Sequence, residues 1–147
     1  MFRKLIAGII LANALIGTKC AVLAAELPDS VAITCGVTAE EEDAILRVAM
    51  AEAGNQGVDG MRYVISTILN RVASPSPDFE DTILGVINHP WQFTTSYRGP
   101  ISDECRDALE LELQEQIDTE ILWFSSAGWP AYGQQAFKYK DHWFTRR

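Results

Sequence analysis

The sequence predicts a mainly helical α+β domain with a small β element. Two observations favour the helices: apolar residues recur at helical spacing in several separate segments, and residues that commonly cap helices precede those segments. A third observation favours the β element, since the aromatic-rich segments 120–125 and 136–144 alternate partly between apolar and polar residues. The chain has 147 residues and no internal repeat, which suits one compact domain.

Residues 1–25 are expected to be a signal peptide. A short basic start at Met1–Lys4 precedes the apolar run Leu5–Gly17, and small residues suited to cleavage lie at Val22–Ala25. The apolar run is short for a membrane span, although an uncleaved anchor remains an alternative. We therefore expect a secreted, extracytoplasmic protein that is not stably inserted in the membrane once the signal is removed. Residues 26–37 are predicted to be a linker.

The first helix is predicted to run from Thr38, which begins a capping-box pattern, to near Gly54. Its inward positions at helical spacing end in an acid: they are Ile45, Val48, Ala49 and Glu52. Burial disfavours the charged form of a carboxylic acid, which suits a group that must donate a proton near neutral pH. The hypothesis is that Glu52 is a general acid. The alternative is that Glu52 lies at a frayed helix end and points to water.

The remaining elements follow from the same signals. The segment 59–72 is the clearest helix, and its apolar stripe is predicted to be core. A loop at 74–78 precedes a short helix over 82–88, and a further helix over 102–114 is capped by Ser102. The stripe of the clearest helix consists of Met61, Val64, Ile65, Ile68, Leu69 and Val72.

Several ordered segments after Thr38 resemble the SleB-type cell wall hydrolases, enzymes that cut the glycan strands of bacterial peptidoglycan. The resemblance implies a lysozyme-like, lytic-transglycosylase-like catalytic domain over residues 38–147, with Glu52 at the position of the catalytic acid. Spore cortex, vegetative wall or a phage-encoded role all remain open as the setting. The segments are AEAGNQGVDGMRYVISTILNRV (51–72), FEDTILGVINHPWQF (79–93), DTEILWFSSAGW (118–129) and FKYKDHWF (137–144).

Two positions depart from the pattern of that family. Many relatives carry another acid where Asn55 stands, and they usually have a glycine where Lys140 stands. These departures bear on the fine substrate preference.

The aromatic residues give a set of candidate substrate contacts. Of the 14 Phe, Trp and Tyr residues, 11 lie between Trp91 and Phe144. Aromatic rings with a polar edge suit a cleft that stacks against sugars, although most of these rings must be core. Trp91, Trp129 and Tyr132 are the predicted cleft residues because they lie in Pro/Gly-rich loops.

Other candidates follow from the resemblance. Gln92 and Phe93 match a recurrent Gln-Phe pair, and Gln92 is expected to bind either an N-acetyl or hydroxyl group or the backbone of its own loop. His142 matches a family histidine and is expected either to line the cleft or to make a structural hydrogen bond. Asn70 and Arg71 also match, and their expected role is to fix the helix end and nearby loops.

The charge excludes several classes of partner. The formal net charge is −8, and it becomes 9 − 20 = −11 once the three basic residues of the signal peptide are removed. A chain this acidic is not expected to bind nucleic acid or anionic membranes. The expected partner is the peptidoglycan glycan strand, bound by a monomer. An acidic run is predicted to be a solvated face: Glu110, Glu112, Glu115, Asp118 and Glu120.

Metal and thiol chemistry are disfavoured. A zinc amidase needs three protein ligands, and the only histidines are His89 and His142, with no HExxH pairing. No metal or cofactor is expected. Cys35 and Cys105 lack the sequence context of a nucleophile. In an exported chain these two cysteines form either one disulfide or a pair of unlinked buried thiols.

The mechanism depends on whether a second carboxylate takes part. Two-acid glycosidases pair a proton donor with a nucleophile or base, and none of the candidate aspartates stands out by motif. With Glu52 alone, the simplest scheme is lytic transglycosylation between N-acetylmuramic acid and N-acetylglucosamine. The alternatives are an idle wall-binding domain and an amidase acting on the stem peptide. The candidate second acids are Asp59, Asp78, Asp81 and Asp141.

Overall fold

The computed structural model describes residues 36–147, of which Glu40–Arg147 forms a compact unit. The predicted signal peptide, most of the predicted linker and Cys35 lie outside the described residues. The described part has four helices and one three-stranded sheet, which confirms the predicted mainly helical α+β class. This arrangement is consistent with a lysozyme-like domain. In chain order, the elements are α1 (Ala39–Ala53), α2 (Gly57–Ala73), α3 (Ile83–Asn88), α4 (Asp103–Gln114), β1 (Ile121–Ser125), β2 (Gln134–Tyr139) and β3 (His142–Arg146).

The helix boundaries agree closely with the capping signals. Helix α1 begins directly after Thr38, and α2 begins two residues before the predicted start at Asp59. The Thr82 side chain accepts a hydrogen bond from the N–H of Gly85, and the Ser102 side chain accepts one from Cys105. Both short polar residues therefore satisfy backbone N–H groups that the first turn of a helix leaves unpaired.

The sheet is antiparallel with the strand order β1-β3-β2. The central strand β3 places Phe144 between Phe124 on β1 and Phe137 on β2. The segment 136–144, predicted as strand, is mostly a hairpin in which Tyr139 pairs with His142. Its two-residue turn contains Lys140 at φ 47°, a conformation that favours glycine.

Helix α2 is the centre of the core and packs against α3, α4 and β1. Four residues of its predicted stripe are fully buried, whereas Leu69 and Val72 are only half-buried. Towards the end of α2 the buried positions are taken by Asn70 and Arg71. The Asn70 amide donates to the carbonyls of Asp118 and Ile121, and Arg71 donates to that of Leu122. These bonds fix the end of α2 to β1 and to the loop before it.

The acidic run is not a uniformly solvated face, because Glu112 is 1% exposed. Its carboxylate accepts hydrogen bonds from the Ser66 hydroxyl, from the N–H of Ile117 and from Arg62 Nε, the last over 3.0 Å. Burial raises the pKa of Glu112, and these donors act in the opposite direction. Asp118 is also engaged, since it forms a 2.6 Å ion pair with Arg146. The prediction was wrong for these two acids because their partners lie far along the chain.

Cys105 is a free, buried thiol, and burial raises its pKa to about 11. The other cysteine of the expected pair, Cys35, is not among the described residues, so the choice between a disulfide and unlinked thiols stays a prediction. Between residues 36 and 147, no helix is long and apolar enough to cross a membrane.

Candidate active site

Glu52 lies in the last turn of α1 and is half-buried. Its Oε1 atom accepts a hydrogen bond from the backbone N–H of Thr94 over 2.7 Å. Thr94 belongs to the loop that follows α3, so this bond connects two segments 42 residues apart. The acid is therefore neither sealed in the core nor frayed into water.

Glu52 opens onto a groove of about 530 Å³. One wall is the end of α1 and the turn that follows it, and the other contains Ser126, which follows β1, and the start of β3. Three acid–base side chains line this groove: Glu52, Asp141 and His142. The remaining lining residues are Met50, Ala51, Gly54, Asn55, Gln56 and Ser126.

His142 lines the groove and is buried, with 3% of its surface exposed. Its ring packs 4.9 Å from the Phe124 ring, and its Nδ1 lies 3.2 Å from the amide nitrogen of Gln56. Burial lowers the pKa of His142, while the nearby charges of Glu52 and Asp141 act in the opposite direction. The imidazole is therefore neutral at neutral pH. The geometry places Glu52 and His142 in the lining of the same groove.

Two glycines shape the turn between α1 and α2. A Cβ atom at Gly54 would lie 2.6 Å from the carbonyl oxygen of Met50, so a larger residue would displace the backbone two residues after Glu52. Gly57 has φ 74°, which L side chains rarely adopt. Together they let the chain reverse tightly beside the groove.

The loop that bears Thr94 is held by Arg71. Its guanidinium donates to Gln92 Oε1 over 2.5 Å and lies 4.9 Å from the centre of the Phe93 ring. Burial lowers the pKa of Arg71 to about 10. Gln92 was expected to bind sugar or loop backbone, but its oxygen binds this guanidinium. Gln92 lines a separate small cavity together with Arg71 and His89.

The exposed aromatic residues Trp91, Trp129 and Tyr132 are not among the residues that line the groove. Trp91 is fully exposed and has φ 64°, an uncommon conformation for a large side chain. Trp91 is three residues from Thr94, which binds Glu52, and Trp129 is three residues from the groove residue Ser126. Chain reach keeps the Cα atoms of each of these pairs within about 11 Å. Tyr132 is exposed too, with its ring 6.3 Å from that of Trp123. Phe93 instead packs 6.1 Å from Phe124, the neighbour of His142.

Sequence reasoning missed Gln56 and Thr94, and it did not single out Asp141. Asp141 is next to His142 in the chain, and that adjacency was an available signal. Gln56 lies 86 residues from His142, and Thr94 contributes only a backbone N–H. No side-chain pattern marks such contacts. The other candidate acids, Asp59, Asp78 and Asp81, are exposed and do not line the groove. Within residues 36–147, no group of three His, Cys, Asp or Glu side chains is arranged to hold a metal ion.

The fold and the groove define a small α+β domain with one half-buried glutamate beside a neutral histidine. The chain belongs to the cell wall hydrolase family, whose model matches residues 55–145, more than half of the sequence. The matched range contains Gln56, Gln92, Phe93 and His142 and begins three residues after Glu52. Comparisons with curated proteins and with solved structures give no match. Peptidoglycan hydrolysis in the general sense follows from this membership.

Proposed function

We propose that this chain cleaves the peptidoglycan glycan strand between N-acetylmuramic acid and N-acetylglucosamine, in the manner of the SleB-type enzymes that it resembles. The observation that carries the proposal is the setting of Glu52. The Thr94 N–H occupies Oε1, while Oε2 has no hydrogen bond to a described residue and opens to the groove. Since an N–H group can only donate, the transferable proton of the acid belongs on Oε2.

The proposed reaction is lytic transglycosylation. Glu52 Oε2 donates its proton to the bridging oxygen as the bond from that oxygen to muramoyl C1 breaks, which releases N-acetylglucosamine with a free hydroxyl. The carboxylate then takes the proton of the muramoyl C6 hydroxyl as that oxygen bonds to C1. The product is a 1,6-anhydro-muramoyl end, and Glu52 returns to its protonated state.

Intramolecular attack is favoured by the position of the C6 hydroxyl next to C1, which gives it a high effective concentration. The scheme needs no metal, cofactor or water nucleophile. The exposed Trp91 supports a glycan substrate. A large ring in a strained, solvent-exposed conformation costs stability and has no compensating packing, which is typical of a binding residue.

A second candidate, hydrolysis, is favoured by one specific observation: Asp141 lines the same groove. A second carboxylate there would take a proton from a water molecule as that water attacks C1, and the product would have a reducing end. Both schemes cut the same bond and differ in what attacks C1.

Mass spectrometry of digests of purified peptidoglycan tests the proposal. Anhydro-muramic ends that resist borohydride reduction are the expected result. Reducible ends that take up heavy oxygen from labelled water would replace lytic transglycosylation with hydrolysis. Intact glycan with newly freed amino groups would identify an amidase instead, and undigested wall that still binds the protein would identify a wall-binding domain.

Export is also part of the proposal, on the basis of the basic start, the apolar run and the small residues at 22–25. The mature protein should begin near Ala25 or Glu26. N-terminal sequencing of protein from the culture medium tests this, and a sequence starting at Met1 or Phe2 would contradict it.

A further inference from the structure

Gln56 and His142 form a buried polar pair at the base of the groove. Gln56 immediately precedes α2 and is 2% exposed, while His142 opens β3 and is 3% exposed. The amide nitrogen Nε2 of Gln56 lies 3.2 Å from Nδ1 of His142. Both residues line the groove that Glu52 faces.

The direction of this hydrogen bond determines which nitrogen of the histidine carries the proton. An amide NH₂ group can only donate, so Nδ1 must accept with its lone pair. A neutral imidazole with an unprotonated Nδ1 carries its hydrogen on Nε2. The partner of one ring nitrogen thus sets the chemistry of the other, as it does for histidines in metal sites.

The other ring nitrogen is open to the groove. Nε2 of His142 has no hydrogen bond to a described residue. In the described part of the chain, the buried side-chain nitrogen and oxygen atoms without a hydrogen-bond partner are Gln56 Oε1 and Arg146 Nε. Because Nε2 is not among them, it retains contact with solvent, and His142 lines the groove.

We propose that Gln56 is a positioning residue that fixes the Nε2–H tautomer of His142, so that His142 offers a hydrogen-bond donor to the substrate beside Glu52. This inference rests on the proposed glycan substrate. The chemistry that such a donor recognises is a neutral acceptor, namely a sugar hydroxyl or ring oxygen or the carbonyl of an N-acetyl group.

Gln56 is held through its backbone and through its Cβ atom. Its backbone N–H donates to the Ala53 carbonyl over 2.9 Å, and its backbone oxygen accepts a hydrogen bond from Lys140 Nζ. A Cβ atom at Gly60 would lie 2.5 Å from the Gln56 Cβ, so only a glycine at position 60 leaves room for the Gln56 side chain against α2. The backbone and Cβ atom of Gln56 are therefore held in place, with the amide next to the imidazole.

Burial keeps the His142 ring neutral against the carboxylates around it, because it lowers the pKa of His142 while Glu52 and Asp141 act to raise it. Glu52 and Asp141 face it, and Lys140 is bound to the Gln56 carbonyl of the same cluster. The Gln56 Oε1 atom is buried and unpaired. With the amide reversed, Oε1 would accept from Nδ1–H, and His142 would present a bare acceptor to the groove. The two arrangements are distinguishable by experiment.

Long-range ¹H–¹⁵N NMR of the full chain with ¹⁵N-labelled histidine tests the tautomer at pH 8. The chain has two histidines, and His89 is exposed. The His89→Gln variant leaves His142 as the single imidazole. In that background we expect a pyridine-like Nδ1 resonance and a pyrrole-like Nε2 resonance. A pyrrole-like Nδ1 would overturn the proposal.

Two substitutions of Gln56 test whether it sets this state. Gln56→Glu replaces the donor with an acceptor of the same shape, so Nδ1 should become pyrrole-like and the His142 pKa should rise. Gln56→Met removes the donor, and the tautomers should mix. Retention of the wild-type pattern in both variants would refute the role of Gln56. If Gln56→Met does not fold, Gln56→Glu alone decides the question.

The activity readout separates this inference from the proposed function. With purified peptidoglycan we expect kcat/KM to fall about tenfold in Gln56→Glu, with circular dichroism unchanged. The acid limb of the pH profile should move to higher pH. A switched tautomer with unaltered kinetics would refute the donor role alone. A wild-type protein that fails to cut glycan would refute the proposed function, while the tautomer assignment would still be read from the NMR spectrum.

Discussion

The backbone N–H of Thr94 donates a hydrogen bond to Oε1 of Glu52 over 2.7 Å. The bond ties the last turn of α1 to the loop after α3 and leaves Oε2 toward the groove. Whatever fixes this loop therefore fixes the acid as well. Arg71 binds both residues that precede Thr94, through the Gln92 side-chain oxygen and the Phe93 ring.

Arg71→Lys should lower both stability and activity. A lysine lacks the planar fork that reaches the Leu122 carbonyl and Gln92 together. The free energy of unfolding should fall by about 1.5–3 kcal/mol, the range for hydrogen bonds to a charged group. Wall lysis should slow about tenfold because Thr94 is less firmly placed. Denaturant titration and turbidity assays measure the two effects.

Arg47→Lys is the matched control for that substitution. Arg47 forms a 2.7 Å ion pair with Asp43, which lies four residues earlier on α1 and is exposed. Exposed pairs of this kind contribute little to stability because solvent screens them. Equal losses of stability in the two variants would show that Arg71 is no more than a surface charge.

Lys140 should combine backbone strain with a useful contact. Its φ of 47° is unfavourable for a residue with a Cβ, by about 1–2 kcal/mol, and its Nζ donates to the Gln56 carbonyl. Lys140→Met keeps the strain and loses the donor, whereas Lys140→Gly loses both. We expect the melting temperature of Lys140→Met to be the lowest of the three proteins.

Lys138→Met controls for the general loss of a lysine from this hairpin. Lys138 is exposed, with Nζ 4.1 Å from the centre of the Trp143 ring. Its replacement should shift the melting temperature less than Lys140→Met does. A Lys140→Met variant as stable as the wild type would show that the contact with Gln56 contributes nothing.

The local elements were predictable because they depend on neighbours in sequence. Apolar spacing defined α2, and the Thr82 and Ser102 caps defined where α3 and α4 begin. The contacts that assemble the site were not predictable in this way. Gln56 meets His142 across 86 residues, and Glu52 is bound by a backbone group that carries no side-chain signature.

The rule that singled out Glu52 applies equally to Glu112. In α4 the buried positions Cys105, Ala108, Leu109 and Glu112 also place an acid at the end of an apolar stripe. The structure gives Glu112 protein donors for both oxygens, whereas Glu52 keeps one oxygen free. Helical spacing identifies an inward-facing acid, but only the three-dimensional contacts tell a structural acid from a candidate catalytic one.

Stability should fall on mild acidification because of His142. Burial lowers its pKa, so the folded state holds fewer protons than the unfolded state once the pH falls below the ordinary value of 6.5. The stability that depends on neutral His142 is present above pH 6.5 and is lost as the pH falls toward the lowered pKa. Urea titrations between pH 7.5 and 5 should show this decline in the His89→Gln variant, in which His142 is the remaining histidine.

His142→Phe provides the comparison for that titration. The ring still packs against Phe124 and Phe144, but it cannot bind a proton. The decline between pH 7.5 and 5 should become shallower in this variant. Identical slopes for the two proteins would assign the acid sensitivity to other groups.

The central claim is that Glu52 supplies the proton for glycan cleavage, and the lytic activity of Glu52→Gln on purified cell walls tests it most directly. The amide has nearly the same shape and can still accept the Thr94 hydrogen bond, so circular dichroism and melting temperature should stay unchanged. Loss of general acid catalysis should reduce the rate of turbidity loss by about 10²-fold or more. Glu112→Gln is the matched control, because it makes the same change in the other inward-facing acid and should lower stability while the folded protein remains lytic. A folded Glu52→Gln variant that lyses walls at the wild-type rate would contradict the account.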